Sequence, residues 1–163
     1  MLRRLLLIVS ICGSAFLVAP GPASACADYD WPLDPRPTVA RPFDRPEHNW
    51  LPGHRGVDLA GRPGQTVLAA GAGIVVFVGE VAGRPVVSID HPGGLRTTYE
   101  PVESTVAAGA RVAVGTALGT LQAGHPECAA TACLHWGLRR GREYLDPLGL
   151  IHAVPIRLKP VLR

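Results

Sequence analysis

No stretch of this 163-residue chain runs apolar for the roughly 20 residues that crossing a bilayer requires. The longest hydrophobic segment, Leu5 to Val18, is interrupted by Gly13 and Ser14 and closed by Pro20-Gly21-Pro22. A membrane-spanning helix is therefore not expected. Charge of one sign is also scarce: the formal balance is +3, and removing Arg3 and Arg4 would leave +1. Nothing in that balance calls for a polyanionic partner, so nucleic acid is not expected to bind. Lysine is nearly missing, and the arginines that carry the positive charge are dispersed, commonly after Gly or before Pro, which reads as solvated loops. Cysteines number four, and no separate histidine and acid set stands around Cys133, which argues against a thiol protease. Nor is there length for two domains, since the roughly 135 residues left after a leader suit one domain with its own core.

What is present begins with a leader. Arg3 and Arg4 supply a positive start, Leu5 to Val18 an apolar centre, and Ala23-Ser24-Ala25 a small-residue cleavage site, so residues 1–25 read as a secretory signal peptide. A second match, Ala25-Cys26-Ala27, would move cleavage to follow residue 27. Cys26 as first mature residue could carry a lipid, the one route to membrane anchoring, although Ala23 stands where a lipoprotein signal has a larger aliphatic residue. Cleavage after Ala27 leaves Cys128 and Cys133, an even count in an oxidising compartment, which suggests a disulfide across that short loop. Residues 26–38 then form an N-terminal segment, 39–150 the domain, and 151–163 a C-terminal tail.

Valine-rich runs recur between Gly and Pro breakers through the domain. Ile74 to Val78 is a continuous apolar run, read as a buried strand on its β-branched content. Val86 to His91, the turn Pro92-Gly93-Gly94 and Leu95 to Tyr99 predict a hairpin, with Leu95, Thr97 and Tyr99 on one face. Arg111 to Val114, Ala117 to Leu121 and Leu134 to Arg140 add strands. The expected fold class is all-β, a single domain of antiparallel sheets.

Two segments carry chemistry. Gly53-His54-Arg55-Gly56-Val57-Asp58-Leu59 and Cys133-Leu134-His135-Trp136-Gly137 offer two imidazoles and a carboxylate able to meet at one metal ion. Three protein ligands leave a fourth tetrahedral position on zinc for water, which distinguishes a hydrolytic site from a closed structural one. Strand alternation sets Cys133, His135 and Gly137 on one face and Leu134, Trp136 and Leu138 on the other. Gly137 would leave room for substrate, and Trp136 reads as core. Cys133 as a fourth zinc ligand is the competing reading to a disulfide.

Over roughly Val39 to Leu150 the chain resembles the lysostaphin-type (LytM-like) zinc metallopeptidases, secreted endopeptidases that cut peptide cross-bridges in bacterial cell walls. His54-x-x-x-Asp58 followed by Leu59-Ala60, Pro63-Gly64-Gln65-Thr66-Val67 leading into Ala69 to Gly73, and the paired motifs Ala108 to Val112 and Val114 to Gly119 carry the likeness in order and spacing. The resemblance implies a groove along the sheet, one zinc ion, His54, Asp58 and His135 as its ligands, peptidoglycan peptide as partner, and a secreted or cell-wall location. Two departures stand out: the family's His-x-His is here Cys133-Leu134-His135, and its Tyr-x-His is Tyr99-Glu100-Pro101. Both non-ligand histidines are replaced, and loss of a positioned acid or base costs on the order of 10²- to 10⁴-fold in rate. Glu100 is the candidate substitute base, or else a charge at a strand end. His125 lies in a loop from which it could swing toward the metal, whereas His48, His91 and His152 match no ligand position. The two functions that follow are a zinc endopeptidase of reduced activity and an inactive module that binds wall or regulates another hydrolase.

Overall fold

Short valine-rich segments separated by Gly and Pro turns pair into two antiparallel sheets in the computed structural model, which describes residues 29–124, 128 and 130–151. The expected leader with Cys26, the loop residue His125 and the tail with His152 lie outside the described residues. In chain order the strands are β1 (Val39–Arg41), β2 (Gly56–Gly61), β3 (Thr66–Leu68), β4 (Gly73–Val81), β5 (Arg84–His91), β6 (Leu95–Glu100), β7 (Val102–Ser104), β8 (Arg111–Val112), β9 (Ala117–Leu121), β10 (Ala132–Arg140) and β11 (Glu143–Leu145), followed by a helical turn, α1 (Leu148–Ile151). The large sheet runs β1-β2-β10-β6-β5-β4-β8, with β11 also on β10, and the small sheet runs β3-β9-β7. The all-β antiparallel expectation holds. So does the hairpin of β5 and β6, which turns through Pro92–Gly94.

Apolar side chains from both sheets form one core. Val57, Leu59, Leu134, Trp136, Tyr99, Val87 and Ile89 come from the large sheet, and Val67, Leu118, Leu121 and Val102 from the small one. Trp136 is fully buried, as its apolar companions suggested; burying an indole of that size is worth about 4–6 kcal/mol. Because side chains alternate along a strand, a one-residue slip of β10 would expose Trp136 and drive His135 into the core. The energy of the core thus fixes the register that presents His135 on the opposite face.

One expectation fails. Ile74 to Val78 is a strand, yet within it Val75 is buried while Ile74, Val76, Phe77 and Val78 are exposed. β8 pairs only with Gly73 and Ile74, so the rest of β4 forms an edge on which no residue from Val76 to Val81 is buried, and the register irregularity between Val75 and Phe77 breaks the alternation. An apolar run alone does not reveal which strand lies at a sheet edge.

His91 is buried beside the core, with Nδ1 2.8 Å from the Ala72 carbonyl and Nε2 2.7 Å from Thr97 Oγ1, which lies 3.0 Å from Tyr99 Oη. Burial pushes the His91 pKa below the usual imidazole value, against the raising effects of the Ala72 carbonyl and Asp90. Tyr99, wholly buried, is pushed up to about 12 by desolvation. With its folded pKa below its unfolded one, His91 binds fewer protons in the native state, so stability should fall as pH drops through and below the ordinary histidine range. Thermal melts of wild type and His91→Asn between pH 7 and pH 5 should show the shallower loss in the variant; parallel slopes would contradict this role.

Candidate metal centre

Three strands and one loop build the site. β10 lies between β2 and β6, and its register sets His135 opposite Asp58 on one side and Glu100 on the other. His54 precedes β2 and is fixed by a two-way backbone bridge to Asp44, with amide-to-carbonyl distances of 2.8 and 3.0 Å. His54, Asp58 and His135 converge. His54 Nε2 is 3.0 Å from Asp58 Oδ1 and 3.1 Å from His135 Nδ1, and His135 Nδ1 is 2.9 Å from Asp58 Oδ1. Asp58 is fully buried, whereas the His135 side chain is 19% exposed, so access to the site is from the His135 side.

The donor chemistry fits a cation. His54 Nδ1 lies 2.7 Å from the Pro42 carbonyl oxygen, which can only accept, so the ring proton belongs on Nδ1 and the Nε2 lone pair points inward. That lone pair and the Asp58 carboxylate would repel at 3.0 Å with nothing positive between them. A proton on His135 Nδ1 can bridge one edge of the triangle but cannot serve all three. A carbonyl on the far ring nitrogen is also the outer contact that orients histidine ligands. In a tetrahedral zinc site with bonds of about 2.0–2.1 Å, ligand atoms stand about 3.3 Å apart. The observed edges differ from that by only a few tenths of an ångström.

Gly56 makes the convergence possible, although a glycine offers no chemistry of its own to mark it in the sequence. A Cβ there would lie 2.5 Å from the Trp136 carbonyl oxygen and 2.8 Å from His135 Nε2. Its position inside the His-x-x-x-Asp segment was the available signal; the Pro42 carbonyl, being backbone, left none. Gly137 faces ordinary contacts at 3.6–3.9 Å. Gly56, Gly137, Thr98 and Ser88 are successive cross-strand partners, a row of small residues across the sheet beside the site. The row Asp58, His135, Glu100 borders it on one side. On the other stand Arg139, Arg96 and Asp90, where the Arg96 guanidinium holds the Asp90 carboxyl below the usual carboxylate range.

The remaining candidates separate clearly. Glu100 is not an exposed strand-end charge: its side chain is 14% exposed and its Oε1 accepts from Arg84 Nε. Pro101, at one of the family's histidine positions, is buried, and its carbonyl accepts from Gln122 N–H at 3.0 Å. Cys133, at the other, forms a disulfide with Cys128 across a Cα separation of 5.7 Å. That bond occupies the sulfur that a four-ligand closed site would need. His48 stacks on Trp50, 4.7 Å between ring centroids, and takes no part in the triad.

The fold is that of the lysostaphin-type peptidases. Residues 52–147 match Peptidase family M23, and the chain belongs to that family. The uncharacterized protein Rv2891 of Mycobacterium tuberculosis is 55% identical over 158 residues, covering 94% of this chain and 63% of that protein. The chain thus spans less than two thirds of the length of that relative. A zinc containing peptidase from Vibrio cholerae shares the fold with a TM-score of 0.62 at 22% identity, over 78% of this chain and 40% of the other. The catalytic domain of the antimicrobial peptidase lysostaphin from Staphylococcus simulans does so with a TM-score of 0.60 at 19% identity, over 72% and 93%. Among the described residues no helix is long and apolar enough to cross a membrane.

Proposed function

We propose that this protein is an exported zinc endopeptidase acting on the peptides of peptidoglycan, with residues 1–25 as its signal. The observation that carries the reading is the inward convergence of His54 Nε2, Asp58 Oδ1 and His135 Nδ1, with His54 oriented by Pro42. Family membership supports the peptidase class. One zinc ion, held by these three side chains, would supply Lewis acidity toward a scissile carbonyl and lower the pKa of water. The open side at His135 admits the substrate. To Glu100, next to His135 in register and paired with Arg84, we assign the role of taking a proton from the attacking water and returning it to the leaving amine.

The test is zinc content together with release of peptide fragments from peptidoglycan by the mature chain. About one zinc per chain and measurable cleavage are expected, and Glu100→Gln should slow cleavage by about 100-fold or more with zinc retained. Unchanged cleavage in that variant would leave Glu100 as a structural ion pair. Zinc retention without cleavage across several wall chemistries would reject the enzyme.

A second reading is an inactive module that binds wall peptide or regulates another hydrolase. It is favoured by the buried Pro101 and by the disulfide at Cys133, which leave neither position an acid or base. Wall binding that persists after zinc removal, without cleavage, supports it. Failure both to bind wall polymer and to alter a hydrolase would reject it.

A further inference from the structure

The loop that leads into His54 carries an aromatic side chain that the core does not use. Trp50 is 79% exposed, the highest exposure among the large hydrophobic side chains of the described residues. Its ring lies against His48 at 4.7 Å with an interplanar angle of 14°. Isolated apolar residues on a surface need no explanation, but this one is held in place. Leu51 N–H donates to the His48 carbonyl at 2.9 Å, Asn49 Nδ2 to the Arg142 carbonyl at 2.7 Å, and the Arg55 guanidinium to the Asn49 and Leu51 carbonyls. Arg45 bonds Glu143 at 2.7 Å, and Arg55 lies over the Tyr144 ring. The loop is stapled to the β10–β11 hairpin, so Trp50 is presented to solvent rather than free to fold back.

Its location matters for substrate. Trp50 stands four residues before His54, a reach of at most about 14 Å along the chain. Asn49, the residue before Trp50, lines with Arg45, Pro46, Glu47, Glu143 and Tyr144 a cleft of about 60 Å³. We propose that the His48–Trp50 stack and this polar cleft form a saccharide subsite for the glycan strand to which the cleaved peptide is attached. The apolar face of a pyranose ring would lie on the indole, and a ring substituent would enter the cleft to hydrogen-bond Glu47, Asn49 or Arg45. An apolar peptide side chain would fill the same place poorly, because it would strip water from those polar groups without replacing their hydrogen bonds.

The subsite rests on the reading that the protein works on peptidoglycan, but its test does not depend on cleavage. The Trp50 indole N–H signal of zinc-loaded mature protein would be followed by NMR during titration with a peptide-free tetramer of β-1,4-linked N-acetylglucosamine, and separately with a sugar-free stem peptide. The glycan should shift the signal. Trp50→Ala should weaken glycan binding by about three- to tenfold, the range of an aromatic contact, and Trp50→Phe should restore part of it. No glycan-induced shift, a shift with the peptide alone, or equal glycan affinity in Trp50→Ala would overturn the proposal. Cleavage of the sugar-free peptide reads the peptidase separately. Trp50→Ala should match wild type there and lag on intact peptidoglycan, and equal rates on both would again overturn the subsite. Glycan binding by a wild type that cleaves nothing would sink the peptidase and leave the subsite standing.

Discussion

Alanine at His54, Asp58 or His135 is expected to lower zinc affinity by more than about 100-fold, beyond the loss typical of outer contacts to a metal site. The three donor atoms stand 2.9–3.1 Å apart, so each variant removes one corner of a triangle that two groups cannot close. Asp58→Ala should be the most severe, because it takes the only negative charge from the triad and leaves two imidazoles facing a cation. His91→Ala should keep full zinc content, since its ring is engaged with Ala72 and Thr97. Metal analysis of folded, dialysed protein reads all four. Normal zinc in the three triad variants would overturn the assignment.

Gly56→Ala should damage the site although all three triad side chains are retained. The added methyl would meet the Trp136 carbonyl at 2.5 Å and His135 Nε2 at 2.8 Å, and neither neighbour is free to give way. The carbonyl belongs to the strand that carries the buried Trp136, and moving the ring turns His135 out of the triad. A cost of about 1–3 kcal/mol in stability follows from overpacking, together with reduced zinc content. Gly137→Ala, the cross-strand partner with its nearest contact at 3.6 Å, should stay within about 0.5 kcal/mol of wild type. Denaturant midpoints and zinc content of the two variants provide the comparison, and equal behaviour would refute the steric argument.

The two positions also show how sequence and structure divide the information. His54, Asp58 and His135 stand out as residue types, and alternation along Cys133 to Leu138 puts His135 on the face away from Trp136. Which glycine carries the steric demand is not readable from order: each lies two residues from a member of the triad, and only the pairing of β2 with β10 brings Gly56 under the His135 ring. Glu100 gives a similar lesson. As a letter between Tyr99 and Pro101 it looks like a solvated charge, but the β5–β6 hairpin brings Arg84 to it and the β6–β10 pairing brings it to His135.

Local chemistry therefore determined what the chain could state by itself. Breaker spacing and β-branched runs specify strands and a period of two specifies faces, because each depends on residues near one another in the chain; His54 and His135, 81 residues apart, are joined with Asp58 as a possible metal set through the family resemblance. The tertiary structure decided the rest. It exposed β4 at a sheet edge, closed Cys128 to Cys133, turned His54 inward through the Pro42 carbonyl and left Trp50 on a stapled loop. The physical reason is that edge position, steric clearance and hydrogen-bond partnership belong to pairs of segments, and which segments pair is set by burial of the shared core rather than by either segment alone.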